Sequence, residues 1–387
     1  MLKAIHAQED KEIRIGVINP LSGLSKDIGF AAKTGASLAA AEINARGGIN
    51  GRKIVLVSYD DKGSPDHAVK VAEEAIKTGR LHAVLGSVNT GVAVKTMPLF
   101  QAAALPTMIT STIGSLPAVL TNYYKEPVNY IFRSQPPDYT QIEAIVRDLK
   151  QRDVKTVFLF ADNTPFGESG QIQLEKELEK NGIKLLGVDR YKVGSKELES
   201  SAIKGRATKP EATLVWGLGF DQAALKIAMN RIGWRIPLYG SYTLAQQDYL
   251  NAVHSSANGT RIAMAFTVDS ERPTAKYFMD NYYRYANTSR LSSPQSAAAG
   301  YDGMYLIGLA MQQANSLEGA KVVAALEDLQ KPYYGIQKDF IKPFSKTNHE
   351  AFPDSKDVII ATTLDGNAWL KPEEVGTTLF NLNRTRS

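Results

Sequence analysis

Residues 13–61 read IRIGVINPLSGLSKDIGFAAKTGASLAAAEINARGGINGRKIVLVSYDD, and this stretch sets the fold. IRIGVINP is a short apolar run, predicted as a strand. FAAKTGASLAAAEINARGG carries apolar or small residues at a spacing of three to four, which predicts a helix stopped at Gly47–Gly48. KIVLVSYDD is a second strand. Strand, helix and strand in this order form a parallel pair with a covering crossover.

The same alternation continues outward. SPDHAVKVAEEAIKTG predicts a helix with Ser64 as N-cap, Pro65 in its first turn and Gly79 as its stop. HAVLGS is a strand, TGVAVKTMPLFQAAA a helix and LPTMITST a strand. A turn-rich stretch follows, TNYYKEPVNYIFRSQPPD, in which Pro136 and Pro137 disfavour helix. A second series then opens: TVFLFAD, the helix FGESGQIQLEKELEKNG, IKLLGVDRY, the helix LESSAIKGRATKP, ATLVWG, the helix DQAALKIAMNRIG and IPLYGS. After RIAMAFTVDSERP the chain turns helical, and KDVIIATTLDG reads as a late strand. Strands alternating with helices predict an α/β protein, each series a doubly wound parallel sheet. The tail beyond Pro372 has no periodicity and is expected to be peripheral.

Composition narrows the chemistry. The chain has 387 residues, 43% hydrophobic and 22% charged, consistent with two to three soluble domains. It has no cysteine, which excludes disulfides, thiolate-bound zinc, iron–sulfur clusters and a cysteine nucleophile. The five histidines, His6, His67, His82, His254 and His349, are scattered without metal-ligand spacing. No metal and no cofactor are expected. A net charge of +5 without a basic block argues against nucleic acid. No run of apolar residues is long enough to span a membrane. The N-terminus lacks the apolar core of a secretory signal. There is no GxSxG elbow, and Gly-Lys, needed for a P-loop, never occurs. WGLGFDQ has Gln222 where a dinucleotide fingerprint needs its third glycine, and reads as a tight strand–helix turn. Paired carboxylates such as Asp60–Asp61 read as caps and solvated faces.

What remains is binding apparatus. In open parallel sheets, ligands sit beyond the carboxyl ends of strands. Two such ends are rich in small polar residues: Ser87-Val88-Asn89-Thr90-Gly91 and Thr110-Ser111-Thr112-Ile113-Gly114-Ser115. Hydroxyls beside the free N–H groups of a helix start form an anion pocket without lysine.

Several segments together resemble the leucine/isoleucine/valine-type periplasmic binding proteins, the solute receptors of ATP-driven importers. They are IGVINPLSG, AAAEINARGGINGRKIVLVSYDDKGSPDHAVKVAEEAI, AVLGSVNTGVA, LPTMITSTIGSLP, ADNTPFGESG, WGLGFDQAALKIAMNRIGW and VIIATTLDGNAWL, and the likeness runs from about Glu12 to about Trp369. The resemblance implies the two-lobed type I periplasmic binding protein fold with three hinge crossovers. The N-terminal lobe would combine residues 11–134 with 267–343, and the C-terminal lobe 135–266 with 344–387. A ligand cleft would lie between them and close on the ligand. It also implies a periplasmic, monomeric receptor that is not an enzyme and presents its closed form to a membrane permease.

By position, the carboxylate-binding loops of the family fall on Asn89 and Thr90 and on Thr110, Ser111, Thr112 and Ile113. A mouth aromatic falls on Ile28. In the second lobe, a pocket tyrosine falls on Phe166, within Asp162-Asn163-Thr164-Pro165-Phe166-Gly167, and another aromatic falls on Gly219, with Phe220 beside it. Amino-acid receptors of the family place a glutamate in the PLYGSYTL segment to neutralise the ligand ammonium, and this chain has Tyr242. An unpaired ammonium in a closed cleft costs several kcal/mol, on the order of tenfold in affinity for each ~1.4. The expected ligand is therefore a small aromatic or aliphatic carboxylate without an α-ammonium. An amino-acid receptor and a ligand sensor on the same fold are the alternatives, and Asp162 or Asp221 could supply the missing charge. Asp221 otherwise reads as a helix N-cap. Asp302 reads as a structural hydrogen-bonding residue, Trp216 and Trp234 as core packing, and YFMDNYYRYA as a helix packed on the sheet.

Overall fold

The computed structural model describes residues 12–111, 123, 125–364 and 368–370. Thr112, Ile113 and the tail beyond Pro372 lie outside them. The described chain divides into two units. The first takes the chain up to Gln135 together with 272–291 and 296–353. The second takes 136–271, 292–295 and the described residues from Asp354 onward.

The first unit opens with β1 (Glu12–Asn19), α1 (Lys26–Ala45), β2 (Lys53–Asp60), α2 (Pro65–Thr78), β3 (Ala83–Gly86), α3 (Thr90–Ala102), β4 (Thr107–Ile109) and β5 (Ile131–Arg133). Its sheet has the order β2-β1-β3-β4-β5, parallel throughout. The glycine stop of α1 is as read: Gly47 and Gly48 have φ of 98° and 75°, and the Gly48 N–H donates to Ile43 O at 3.0 Å. Ser64 occupies the N-cap of α2 in extended geometry, but its side chain makes no capping hydrogen bond.

The second unit contains α4 (Asp138–Gln151), β6 (Thr156–Asp162), α5 (Pro165–Lys180), β7 (Lys184–Tyr191), α6 (Glu199–Ala207), β8 (Ala212–Trp216), α7 (Gly219–Arg231), β9 (Leu238–Ser241), α8 (Gln247–Val253) and β10 (Arg261–Met264). Its core sheet, β7-β6-β8-β9-β10, repeats the order of the first. In β6, Val157 and Leu159 join one apolar cluster and Phe158 and Phe160 another, so both faces of this sheet are covered. The chain then runs through α9 (Pro273–Ala286), α10 (Pro294–Ala314), α11 (Gly319–Glu327), the hairpin β11 (Tyr333–Tyr334) and β12 (Asp339–Phe340), β13 (Ile359–Leu364) and β14 (Ala368–Leu370).

Several expectations need correction. The second sheet is not wholly parallel: β13 pairs antiparallel with β10, and β14 antiparallel with β13. The stretch read as turn-rich contains β5. Residues 344–353 belong to the first unit, because Arg133 lies buried against Glu350 and Arg133 N–H donates to His349 O at 3.0 Å. Residues 267–271 and 292–295 belong to the second; there, Gln295 Oε1 accepts from the N–H groups of Ala265 (2.7 Å) and Phe266 (3.1 Å). The tyrosine-rich α9 packs on helices rather than on a sheet, with Phe278 against Tyr301 of α10 at 4.9 Å between centroids.

Core readings hold at Trp216, whose ring meets Phe166 at 5.7 Å, and at Trp234, which meets Phe160 at 6.4 Å. Asp302 is a structural anchor: its carboxylate accepts from Tyr333 Oη, the N–H groups of Ile336 and Gln337, and Gln337 Nε2, at 2.7–3.1 Å. No described helix is long and apolar enough to cross a membrane.

Candidate ligand-binding site

Each sheet reverses its strand order once, and loops leaving the carboxyl ends of the strands beside that reversal frame a crevice. In the first unit these are the loops after β1 and β3. In the second they are the loops after β6 and β8. The sequence-derived candidates among the described residues fall on these four loops or the first turns of the helices they open, and on the ends of β4 and β9.

In the first unit, Asn89 holds the N-cap position of α3 without a side-chain capping bond, leaving the helix start uncapped by it. Its Nδ2 donates instead to Ser25 Oγ at 3.0 Å, and its Oδ1 is buried without a partner. Thr90 opens the helix and is 4% exposed. Thr110 and Ser111 leave β4 as buried residues, and neither hydroxyl has a partner. Ile28 packs with Ala32 and Val88, so the aliphatic contact lies directly under the Asn89 loop.

In the second unit, Asp162 ends β6 fully buried. Its Oδ1 accepts from the Thr164 hydroxyl and from the Thr164 N–H at 2.9 Å, while Oδ2 has no partner. Burial raises its pKa, against those hydrogen bonds. Phe166 belongs to a core cluster, with its ring on Trp216. A Cβ at Gly219 would lie 2.4 Å from Gln246 Oε1, so a side chain there would have to displace the Gln246 amide; Phe220, half-buried, is the nearest ring by sequence. Tyr242 is buried in the cluster that includes Trp234, and its N–H donates to Gln141 Oε1 at 3.2 Å. Asp221 is not the N-cap of α7, a position held by Leu218. It lies within the first turn and accepts from Gly194 N–H at 2.8 Å, with its other oxygen buried and unpartnered; burial lifts its pKa to about 7.

Three polar groups escaped the sequence reading. Tyr191 Oη is buried without a partner beneath Gly217, where an added Cβ would lie 2.3 Å from it. Gln135 is fully buried with both amide atoms unpartnered. Asp61, read as solvated, is fully buried. Its acidic run gave a surface signal, and only the loop geometry separates it from Asp60. Asp60 accepts from Leu21 N–H and the Ser22 hydroxyl, and these bonds outweigh its burial and lower its pKa. For Asp61, burial dominates over one bond from Gly63 N–H at 2.8 Å, with Asp60 adding repulsion, and lifts the pKa to about 7.

That shift has a sign in stability. Below pH ~4 the Asp61 carboxyl is protonated in both states. Between ~4 and 7 the unfolded chain ionises first, so the folded state loses this contribution as pH rises through about 7. Asp61→Asn is expected to match the parent at pH ~4 and to exceed it at pH ~8, by on the order of a few kcal/mol. Melting temperatures of both proteins across this range test it; a variant less stable than the parent at pH ~8 would contradict it.

Among the described residues, no group of three or more His, Asp or Glu could hold a metal ion. The arrangement offers neutral hydroxyls, an amide and a free helix start in one unit, and aromatic rings with weakened carboxyls in the other. Residues 12–355 match the family model described as periplasmic binding protein. A Leu/Ile/Val-binding protein homologue of Brucella melitensis is 26% identical over 82% of this chain and 83% of its own length. An R. palustris solute-binding protein solved with 4-hydroxybenzoate superposes at a TM-score of 0.80, with 18% identity over 93% of this chain and 95% of that one. A Streptococcus pneumoniae branched-chain amino acid transporter substrate-binding protein solved with isoleucine superposes at 0.77, with 21% identity over 94% of this chain and 100% of that one. With its two repeated α/β sheets, the chain belongs to the periplasmic binding protein family.

Proposed function

We propose that the chain is the extracytoplasmic receptor of an ATP-driven importer for a small organic carboxylate without an α-ammonium. The observation that carries this reading is the pair of buried, unpartnered hydroxyls of Thr110 and Ser111, which stand at the end of the strand next to the one leading into the uncapped start of α3. Uncharged donors of this kind suit an anion. Tyr242 stands where the family's amino-acid receptors carry a glutamate, and it supplies no charge. Ligand binding to a closed state shifts the population that a permease reads. The partners of this reading are the carboxylate and a membrane permease, with the receptor acting as a monomer.

A second reading, an amino-acid receptor, is favoured by the free oxygens of Asp162 and Asp221. Burial raises the pKa of both, that of Asp221 to about 7, which ranks this reading second. The solved structures above include one with an aromatic acid and one with an amino acid.

A thermal-shift screen separates the readings, because ligand at ~100 times its dissociation constant stabilises by about 2.7 kcal/mol. Benzoate-like or aliphatic acids are expected to raise the melting temperature, and leucine and valine are not. The reverse result favours the amino-acid reading. Thr90→Val is expected to weaken the bound acid about tenfold or more, the loss of one hydrogen bond to a charged group, measured by calorimetry. Unchanged affinity would remove Thr90 from the site.

A further inference from the structure

The register of β4 with β5 pairs Ile109 with Arg133, and Ser134 N–H donates to Ile109 O at 3.0 Å. Carried forward, this register sets Thr110 beside Ser134 and Ser111 beside Gln135. Ser111 and Gln135 each stand two residues past the last pair, Ile109 with Arg133, just beyond the carboxyl ends of the neighbouring strands β4 and β5. Ser134, between Arg133 and Gln135, donates its hydroxyl to Ala299 O at 3.0 Å. Arg133 is bound to Glu350.

Arg133 and Ser134 are thus engaged, yet Gln135 is 0% exposed with both Oε1 and Nε2 unpartnered. The hydroxyls of Ser111 and Thr110 are unpartnered as well. Buried polar side chains are nearly always hydrogen-bonded, and leaving one unmade is costly. Four orphaned atoms at the ends of two adjacent strands point to an external partner.

The atom types limit that partner. A carboxylate only accepts; the hydroxyls and Nε2 can donate to it. Oε1 is satisfied only by a donor, and a neutral amide does not compensate a full ammonium charge. We propose that Gln135 is a specificity-determining residue that reads a hydroxyl carried by the ligand in addition to its carboxylate, so that the preferred class is a hydroxycarboxylic acid. This rests on the carboxylate reading above.

Calorimetry on the full chain with matched pairs tests it: benzoate against 4-hydroxybenzoate, and phenylacetate against mandelate. At least one hydroxy acid is expected to bind about tenfold tighter than its parent, and Gln135→Leu to bring that ratio close to one. The same variant without ligand is expected to melt no lower than the parent protein, since leucine leaves no buried amide unpaired. A hydroxyl that adds nothing, a ratio unchanged in Gln135→Leu, or a lower melting point with unaltered binding overturns the role of Gln135 and leaves the carboxylate reading standing. If no acid of either kind binds, the carboxylate reading falls and this inference with it.

Discussion

Glu350→Ala is expected to destabilise the first unit by about 3–5 kcal/mol, a large part of the whole stability of a typical domain. Arg133 is 0% exposed, and its guanidinium meets both Glu350 oxygens, with Nε donating to Oε2 at 2.6 Å and Nη2 to Oε1. Removing the carboxylate leaves a buried cation without its main partner. The surroundings cannot relax around it. His349 is stacked on Phe132 at 3.8 Å, with its Nδ1 bonded to Ile131 O, and burial depresses its pKa to about 4, so it is neutral. Phe344 closes the same group edge-on at 5.0 Å from Phe132. Replacing both partners by apolar residues, Arg133→Met with Glu350→Leu, is expected to recover most of the loss, because the two desolvation costs vanish together. Trp216 and Trp234 are packed in the core clusters of the second unit, so their fluorescence does not follow this site. Amide hydrogen exchange of β4 and β5 in denaturant does. A single variant within about 1 kcal/mol of the parent would mean that the pair carries little, as exposed pairs do.

This pair also shows where the sequence stops being readable. Most strands and helices of both series were legible because their apolar spacing is local, whereas α4 was not read and the shared strand order emerges only from the pairing of the strands. β5 was hidden because three residues, Ile131–Arg133, show no period, and flanking prolines signal a turn. Its identity as a strand depends on pairing with β4, a contact that is not local. The same holds for residues 344–353, whose place in the first unit is fixed by Arg133, more than 200 positions away. β13 was legible as a strand, but its antiparallel direction was not, since strand direction is set by where the chain returns.

At the site, residue types at strand ends were legible, and their partners were not. Thr110 and Ser111 could be named from composition, and Phe166 from its place after a strand. Whether a side chain is used up by the protein or left for a ligand is a three-dimensional fact. Phe166 and Tyr242 prove to be packed into the core of their unit, whereas Gln135, which has no motif around it, keeps four lone-pair and donor positions free. Asp60 and Asp61, adjacent and identical, end in opposite environments because one faces donors from Leu21, Ser22 and Lys62 and the other faces the interior.

Gly35→Ala and Gly300→Ala are each expected to cost about 3 kcal/mol or more, at or beyond the upper end of ordinary overpacking. Both glycines lie where α1 crosses α10. A Cβ on Gly35 would stand 2.0 Å from Ala297 O, and a Cβ on Gly300 2.1 Å from Ala32 O. Each obstacle is backbone, so no side-chain rotation relieves it, and the helices must move apart by more than ~1 Å. The helices approach closely there, with Gly35 against Ala297 and Gly300 against Ala32, and both alanines are buried. Larger neighbours would fill the gap opened by a displaced helix; alanines leave it partly empty, adding a cavity term to the clash. The two substitutions face each other across one crossing, so a displacement that admits the first methyl also admits much of the second. The double variant is therefore expected to lose clearly less than the sum of the singles, with a coupling of ~1 kcal/mol or more in a double-mutant cycle. Denaturation followed by far-ultraviolet circular dichroism, with hydrogen exchange of α1 and α10, measures all three. Singles that each cost less than ~1 kcal/mol would refute the close crossing, and strictly additive losses would show that the helices do not move as rigid bodies.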